Sequence, residues 1–448
     1  MILLLSLLSQ YSHGAEAKWN GFYRARAQRF NSLSLSDTNP YSEGAASTIT
    51  HRFRLEPTWY ANSKVAIHAQ LDMLPYTLWG DQPVLFDDPS YDELDVFFSQ
   101  SLQPPTSDDG SMGATNIQAT RVWGEVITPI GSVQFGRMPV HWGSGLVFNA
   151  GNNPLDEFGD TADRVQFTAK AEQVFVMTAL ESNNERFVNE QDDAWSAAAA
   201  VMYNTERAST GLYTNYHRQN VEDLKFGLFT IDLYGGAEAG ALKIDLEMAA
   251  NFGSGDLPNG LDGVRISSFG AALDAAFNPS KLLIGLGAGF ATGDKDPTDK
   301  TFHTFRFDPD YHIGLMLFEE PMPTLQPLVS NVDNDGRDTS IARTGYSVSN
   351  ILYGKPRLGY YIKPGLLADL SILAARAPNL PEDESDNNGY GMELDAHIGW
   401  NPVDHFQLDA TGAVFFPGTY YRNFSDADLG GGFNSPAIGM QLLSSIEF

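Results

Sequence analysis

Along most of the chain, apolar and polar side chains alternate with a period of two. This is the pattern of a strand with one face in an apolar medium and the other wet. In KWNGFYRARAQRF, Trp19, Gly21, Tyr23, Ala25 and Ala27 share one face, while Asn20, Arg24, Arg26 and Gln28 share the other; Phe22 is an exception. THRFRLEPTWY opposes Ile49, Phe53, Leu55 and Trp59 to Thr50, Arg52, Arg54 and Glu56, with His51 a misfit on the apolar face. VAIHAQLDM sets Val65, Ile67, Leu71 and Met73 against His68, Gln70 and Asp72. Similar segments follow at about 116–128, 131–139, 163–172, 173–182, 194–205, 207–217, 224–235, 240–251, 264–277 and 281–292. Five more, at about 350–363, 366–377, 389–401, 404–416 and 436–448, bring the total to about eighteen. Their lengths, roughly 9–14 residues, suit a tilted strand crossing a bilayer. Within 131–139, Arg137 breaks the alternation, and a bulge is expected there.

The connections sort into two alternating sets. Short ones fall at Ala61 to Ser63, Pro129 to Gly131, Glu172, Asn204 to Glu206, Gly235-Gly236, Asn278 to Ser280, Lys363 to Gly365 and Asn401 to Asp404. Between them lie longer ones near 31–46, 74–115, 140–162, 183–193, 218–223, 252–263, 293–349, 378–388 and 417–435. Short turns on one rim and long loops on the other are the habit of outer-membrane barrels, whereas a soluble sandwich has no reason to sort its loops. The expected fold is therefore all-β: a transmembrane antiparallel β-barrel of about 18 strands, residues 18–448, in the outer membrane of a Gram-negative bacterium. Ahead of it, the apolar run Ile2 to Leu8 is too short to span as a helix. With the small-x-small triplet Ala15-Glu16-Ala17 behind it, residues 1–17 read as a signal peptide, although no Lys or Arg precedes the run. The last strand, GMQLLSSIEF, turns Ile438, Met440, Leu442, Ile446 and Phe448 to lipid, with Ser444 its weak point. Its aromatic end resembles the signal by which barrels are recognised for insertion. Phe448 is thus the candidate assembly signal, and the barrel assembly machinery a candidate partner.

Composition narrows the function. Cysteine is absent, which excludes disulfides and thiolate chemistry, and the formal charge of −28 argues against nucleic-acid binding. Much of the acid sits in prospective outer loops, at Asp81, Asp87, Asp88, Asp92, Glu93, Asp95, Asp108 and Asp109 and in PEDESDN, 381–387. Solvation explains such loops. Bridging by divalent cations to surrounding outer-membrane lipids is the functional alternative, and no other cofactor is expected.

The alternation also assigns the lumen. Basic inward residues are Arg24, Arg26, Arg52, Arg54, Arg121, Arg164, Lys170, Lys243, Lys355 and Arg357. Acidic ones are Glu56, Asp72, Glu125, Asp232, Asp245, Glu247, Asp369, Glu393, Asp395 and Asp409. The two sets are equal in number but unevenly placed along the chain. Two readings follow and do not exclude each other: the first four arginines pair with Glu56, Glu393 or Asp395, and opposed charges set a field across a pore that selects solutes. Catalytic signatures are poor. HWGSG, 141–145, lacks the G-x-S-x-G spacing, no H-E-x-x-H is present, and NVDNDGRD, 331–338, has Ala342 where a calcium loop needs Glu. FRFDPDYHIGLMLF, 305–318, is too apolar for a solvated loop and is expected to fold into the pore mouth, putting Arg306, Asp308 and Asp310 near the solute path.

That loop motif, and the run YGMELDAHIGWNPVDHFQLDATGAVFFPGTYY from Tyr390 to Tyr421, resemble the alginate-export family of outer-membrane channels and related barrels of delta-type proteobacteria. The resemblance is good over the last third of the chain and architectural elsewhere. It implies an eighteen-stranded channel exporting a polysaccharide through an arginine- and lysine-rich constriction, from which the mixed lumen departs. The resulting expectation is a passive, non-enzymatic channel for a small hydrophilic solute or a polysaccharide. A surface attachment or assembly scaffold, binding a periplasmic or surface protein through loops 74–115 and 293–349, is the alternative.

Overall fold

The computed structural model describes residues 16–33, 35, 45–78, 117–184, 194–221, 224–257, 261–296, 299–320, 347–380, 387–422 and 433–448. The first half is built from β1 (Glu16–Asn31), β2 (Ala45–Asn62), β3 (Val65–Leu78), β4 (Ile117–Thr128), β5 (Gly131–Pro139), β6 (Thr161–Ala171), β7 (Val174–Asn184), β8 (Ala194–Asn204) and β9 (Ala208–Val221). The second half comprises β10 (Leu224–Ala239), β11 (Leu242–Leu257), β12 (Leu261–Phe277), β13 (Leu282–Ala291), the two-residue β14 (Thr301–Phe302), β15 (Ile351–Lys363), β16 (Leu366–Arg376), β17 (Gly389–Val403), β18 (Phe406–Pro417), α1 (Thr419–Arg422) and β19 (Ala437–Glu447). Each long strand pairs antiparallel with its neighbours, β13 passes directly to β15, and β19 returns to β1. Leaving aside β14, which only bridges in parallel to β12, eighteen strands close one barrel. Among the described residues no long strand is left with an unpaired edge, the condition for a β structure in lipid.

The two faces carry the residues that the alternation assigns. Val165, Leu180, Leu358, Leu370 and Met440 point outward and exposed, while Arg24, Arg54, Glu247 and Glu393 point inward and buried. Aromatic residues ring the short-turn end: Trp19 meets Trp59 edge-on at 6.1 Å, and the Lys363 ammonium lies 5.7 Å over Trp400. Such girdles mark a membrane interface. Connections at this end span only 63–64, 129–130, 172–173, 205–207, 240–241, 278–281, 364–365 and 404–405.

Three expectations change. The Gly235-Gly236 pair is not a turn but lies inside β10, opposite Leu246 and Asp245; the turn sits at 240–241, where Gly240 takes φ 63°. Gly236 is small for a different reason, since a Cβ there would stand 2.5 Å from the Tyr234 hydroxyl. The strand β5 needs no bulge, because its register to β4 and β6 is continuous. Arg137 instead faces outward and is neutralised by Asp163, directly opposite on β6, at 2.6 Å. Finally, 218–223 and 252–263 are largely strand: β9 runs to Val221 and β10 starts at Leu224, while β11 runs to Leu257 and β12 starts at Leu261.

Two local misfits resolve in different ways. Phe22 faces the lumen beneath the guanidinium groups of Arg54 and Arg52, at 5.4 and 6.0 Å, a cation–π seat rather than a lipid contact. His51 faces outward and meets Tyr23 edge-on at 6.4 Å.

A candidate constriction built by two inward loops

Two connections fold into the lumen, and the charged strands hold them in place. The first, between β5 and β6, lies against the basic strands. Arg24 donates to the Pro154 carbonyl at 2.5 Å, Arg52 to Asp156 O at 2.8 Å, Arg54 to Gly151 O at 2.5 Å and Arg121 to Ala150 O at 2.6 Å. The loop also supplies one acid, Glu157, paired with Arg24 at 2.5 Å and Arg26 at 2.6 Å. Behind it, Asp72 takes Arg54 at 2.8 Å and Arg52 at 3.0 Å. The partners of these arginines are therefore Asp72 and Glu157, not Glu56, Glu393 or Asp395. Guanidinium groups suit this position because five fixed donors can serve a carboxylate and a carbonyl together.

The acidic strands hold backbone amides instead. Glu247 accepts from the Ser144 amide and hydroxyl at 2.5 and 2.6 Å and from Leu146 N at 3.2 Å. This is the role of the serine in HWGSG, a loop anchor. Glu393 accepts from Leu315, Met316 and Leu317 N at 2.6, 3.1 and 2.8 Å, seating the second loop, 303–320. Lys355 on β15 donates to the Ile313 carbonyl at 2.8 Å and pairs with Asp395 at 3.1 Å. Bases therefore take carbonyls and acids take amides, a physical reason for the uneven placement of the two sets. Beyond these bonds, Phe305, Phe307, Met316 and Leu317 pack with Phe30, Tyr390, Phe415 and Tyr421 into a buried core inside the barrel.

The loops then grip each other. The Asp310 carboxylate accepts from the amides of Glu157, Phe158 and Gly159, at 2.7, 3.1 and 2.8 Å. The Asp308 amide donates to Leu146 O at 2.7 Å, and the carboxyls of Asp308 and Asp160 hydrogen-bond each other. Burial, together with the neighbouring Asp160, pushes Asp308 up to about 8, and burial raises Asp160 to about 6. His312 stands 2.6 Å from Glu319 and 3.9 Å from Asp156. Burial opposes its charge, but Glu319, Asp156 and Asp310 together raise it to about 9. Asp156, Asp310 and His312 could between them offer three metal-ligating atoms. Arg306 is half-buried, with its guanidinium 3.3 Å from Ser347 Oγ, so the residues read as a constriction motif are buried anchors of the loop.

Beside the second loop lies a cavity of about 510 Å³ lined by Lys243, Asp245, Tyr311, Lys355, Arg357 and Asp395 among others. Arg357 forms a two-point pair with Asp369, both contacts at 2.7 Å, and His397 bridges Asp369 and Asp409 at 2.9 and 3.1 Å. The remaining assigned residues lie apart. Arg164 pairs with Glu181 at 3.1 Å, Lys170 is exposed near the short-turn end, Glu125 accepts from Ser132 at 2.8 Å, and Asp232 is buried beside Glu247. Glu181 escapes the sequence reading although the β7 alternation points it inward; Glu157, Asp156 and His312 escape it because their loops carry no periodicity. The acidic stretches 81–109 and 381–386 and the segment 331–338 lie outside the described residues.

A closed eighteen-stranded barrel with an apolar exterior and a polar, loop-narrowed interior defines a transmembrane barrel of the outer-membrane type. No family model matches the chain, and no curated protein does either. Solved structures do. A BenF-like porin from Pseudomonas fluorescens Pf-5 aligns over 97% of this chain and 98% of its own at TM-score 0.53 and 12% identity. Pseudomonas aeruginosa OccK2 (OpdF) in complex with glucuronate aligns over 98% and 99% at TM-score 0.53 and 10% identity. Pseudomonas aeruginosa OpdK with vanillate aligns over 96% and 98% at TM-score 0.51 and 13% identity. At such identities the likeness establishes the fold, and the alginate-export resemblance rests on its motifs alone.

Proposed function

We propose that this barrel is a passive channel for small hydrophilic solutes that carry a carboxylate. One observation supports the choice of charge. In each ion pair of the cavity beside the second loop the base is the more exposed partner: the side chains of Lys243, Lys355 and Arg357 are 58%, 26% and 38% exposed, against 21%, 7% and 4% for Asp245, Asp395 and Asp369, while Asp274 on the same lining is exposed and accepts from the Tyr311 hydroxyl. Within these pairs it is the bases that meet anything that enters, since exposed charge acts on a solute and buried, hydrogen-bonded charge mostly acts on its partners. Two structurally similar porins were solved with carboxylates, glucuronate and vanillate, which fits this reading. A polysaccharide is disfavoured because two loops already occupy part of the lumen. In planar bilayers, millimolar glucuronate should interrupt the open current, and an uncharged hexose at the same concentration should not. Equal block by both would refute carboxylate recognition.

A further inference from the structure

The outer wall carries a feature that the lumen does not explain. Across β13, β15 to β19, β1 and β2 it is indented by a groove of about 1210 Å³. Two adjacent rows of outward side chains line it, each following hydrogen-bonded partners from strand to strand. One runs Ile49, Ala27, Leu442, Ala410, Ile398 and Ala368. The next runs Ser47, Arg29, Met440, Gly412, Ala396 and Leu370. Alanine and glycine keep the backbone low between Leu370 and Met440, which project outward. Because barrel strands are tilted, such rows descend obliquely through the bilayer. This groove starts at Arg29 on the long-loop side and reaches Tyr360 and Leu282, beside the short turns.

Arg29 gives the groove a chemical polarity. It points outward and exposed, and among the described residues no carboxylate pairs with it, whereas the outward Arg137 has Asp163. It lies ten residues along β1 from the girdle residue Trp19. At about 3.3 Å per residue and a tilt near 40°, that separation is about 25 Å of membrane depth, the height of the apolar band. Arg29 therefore sits at headgroup level in the outer leaflet, at the mouth of an apolar trough, with Ser47 directly across from it.

We propose that the groove binds one phosphorylated, multiply acylated glycolipid of the outer leaflet, its phosphate on Arg29 and an acyl chain along the Ala27–Ala410–Ala396 floor. A second copy of the chain is the poorer occupant, because a two-fold contact must be self-complementary and a concave trough cannot fill its own copy. The full chain, extracted into detergent and stripped of lipid, is titrated with lipid A or with phosphatidylglycerol and followed by native mass spectrometry. One lipid A per chain is expected, with binding weakened about fivefold in Arg29→Gln, the effect of one interfacial cation. Ala396→Trp, which fills the floor and leaves the charge alone, should weaken it as well. Both variants are read as folded barrels of unchanged conductance, so that if one fails to fold the other decides. Equal uptake by wild type and variants would mean ordinary annular lipid and overturn the proposal. Preference for phosphatidylglycerol, or a dimer lost on Ala396→Trp, would overturn it too.

Discussion

Arg54 serves two masters: its Nε and Nη2 hold Asp72, and its Nη1 holds the Gly151 carbonyl of the inward loop. Both side chains of the pair are almost wholly buried, so truncation removes two of the three guanidinium hydrogen bonds to Asp72, leaving that of Arg52, and strips the Gly151 carbonyl of its donor in a place water does not reach. Arg54→Ala should therefore cost about 3–5 kcal/mol of stability, read as a lowered denaturation midpoint of the barrel. Arg357→Ala, which breaks a pair with one half-exposed partner, should cost less than about 1 kcal/mol. If the two variants were equally stable, the loop-clamping role of Arg54 would be wrong. The alternation assigns each of these arginines inward, because a one-residue slip would put charge into lipid. It could not reveal that they hold carbonyls, since the Pro154, Asp156 and Gly151 oxygens belong to a connection with no pattern to read.

At the scale of elements, the strands were legible and the loops were not. Strand ends fell within a few residues of expectation wherever a turn follows the last bilayer-facing pair, as at 63–64 or 404–405. They failed at β9–β10 and β11–β12, where polar residues continue a ladder beyond the apolar band and look like loop. The apolar content of 305–318 leads to the expectation that it folds inward or packs over the pore mouth, whereas nothing in its partner loop carries such a signal. The clasp between the two loops makes a pH-dependent prediction. Asp308 and His312 both hold a proton more tightly in the folded state, at about 8 and about 9. Raised values of this kind give stability that is full at low pH and lost as pH rises through them. Asp160 at about 6 acts in the same direction, while Asp310 and Arg121 face the same cluster. Between pH 7 and 9.5 the clasp should loosen, giving a larger or noisier single-channel current. Asp308→Asn, neutral throughout, should flatten that rise. A separate test is Glu393→Leu, which deprives three amides of their acceptor; a conductance above that of wild type is expected, and an unchanged one would mean that the second loop is seated without Glu393, by its apolar packing and its other hydrogen bonds.

For the whole molecule, closure depends on the seam between β19 and β1. Phe448 completes it: its amide and carbonyl exchange hydrogen bonds with Gly21 at 3.1 and 3.0 Å, and its ring lies 5.9 Å from Phe53. Gly21 is required there, as a Cβ would approach the Arg54 carbonyl to 2.2 Å. Deleting Phe448 should reduce the amount of folded barrel in the membrane while the channels that do insert conduct normally; normal amounts would argue against a role in assembly. The chain as a whole carries a formal charge of −28, and yet in each ion pair of the cavity the base is the more exposed partner. The most direct test of that contrast is the reversal potential of single channels in a potassium chloride gradient. Anion preference is predicted for the wild type, moving toward cations when Lys243→Glu and Arg357→Glu are combined. A wild-type channel selective for cations, or a double variant with an unmoved reversal potential, would contradict the account.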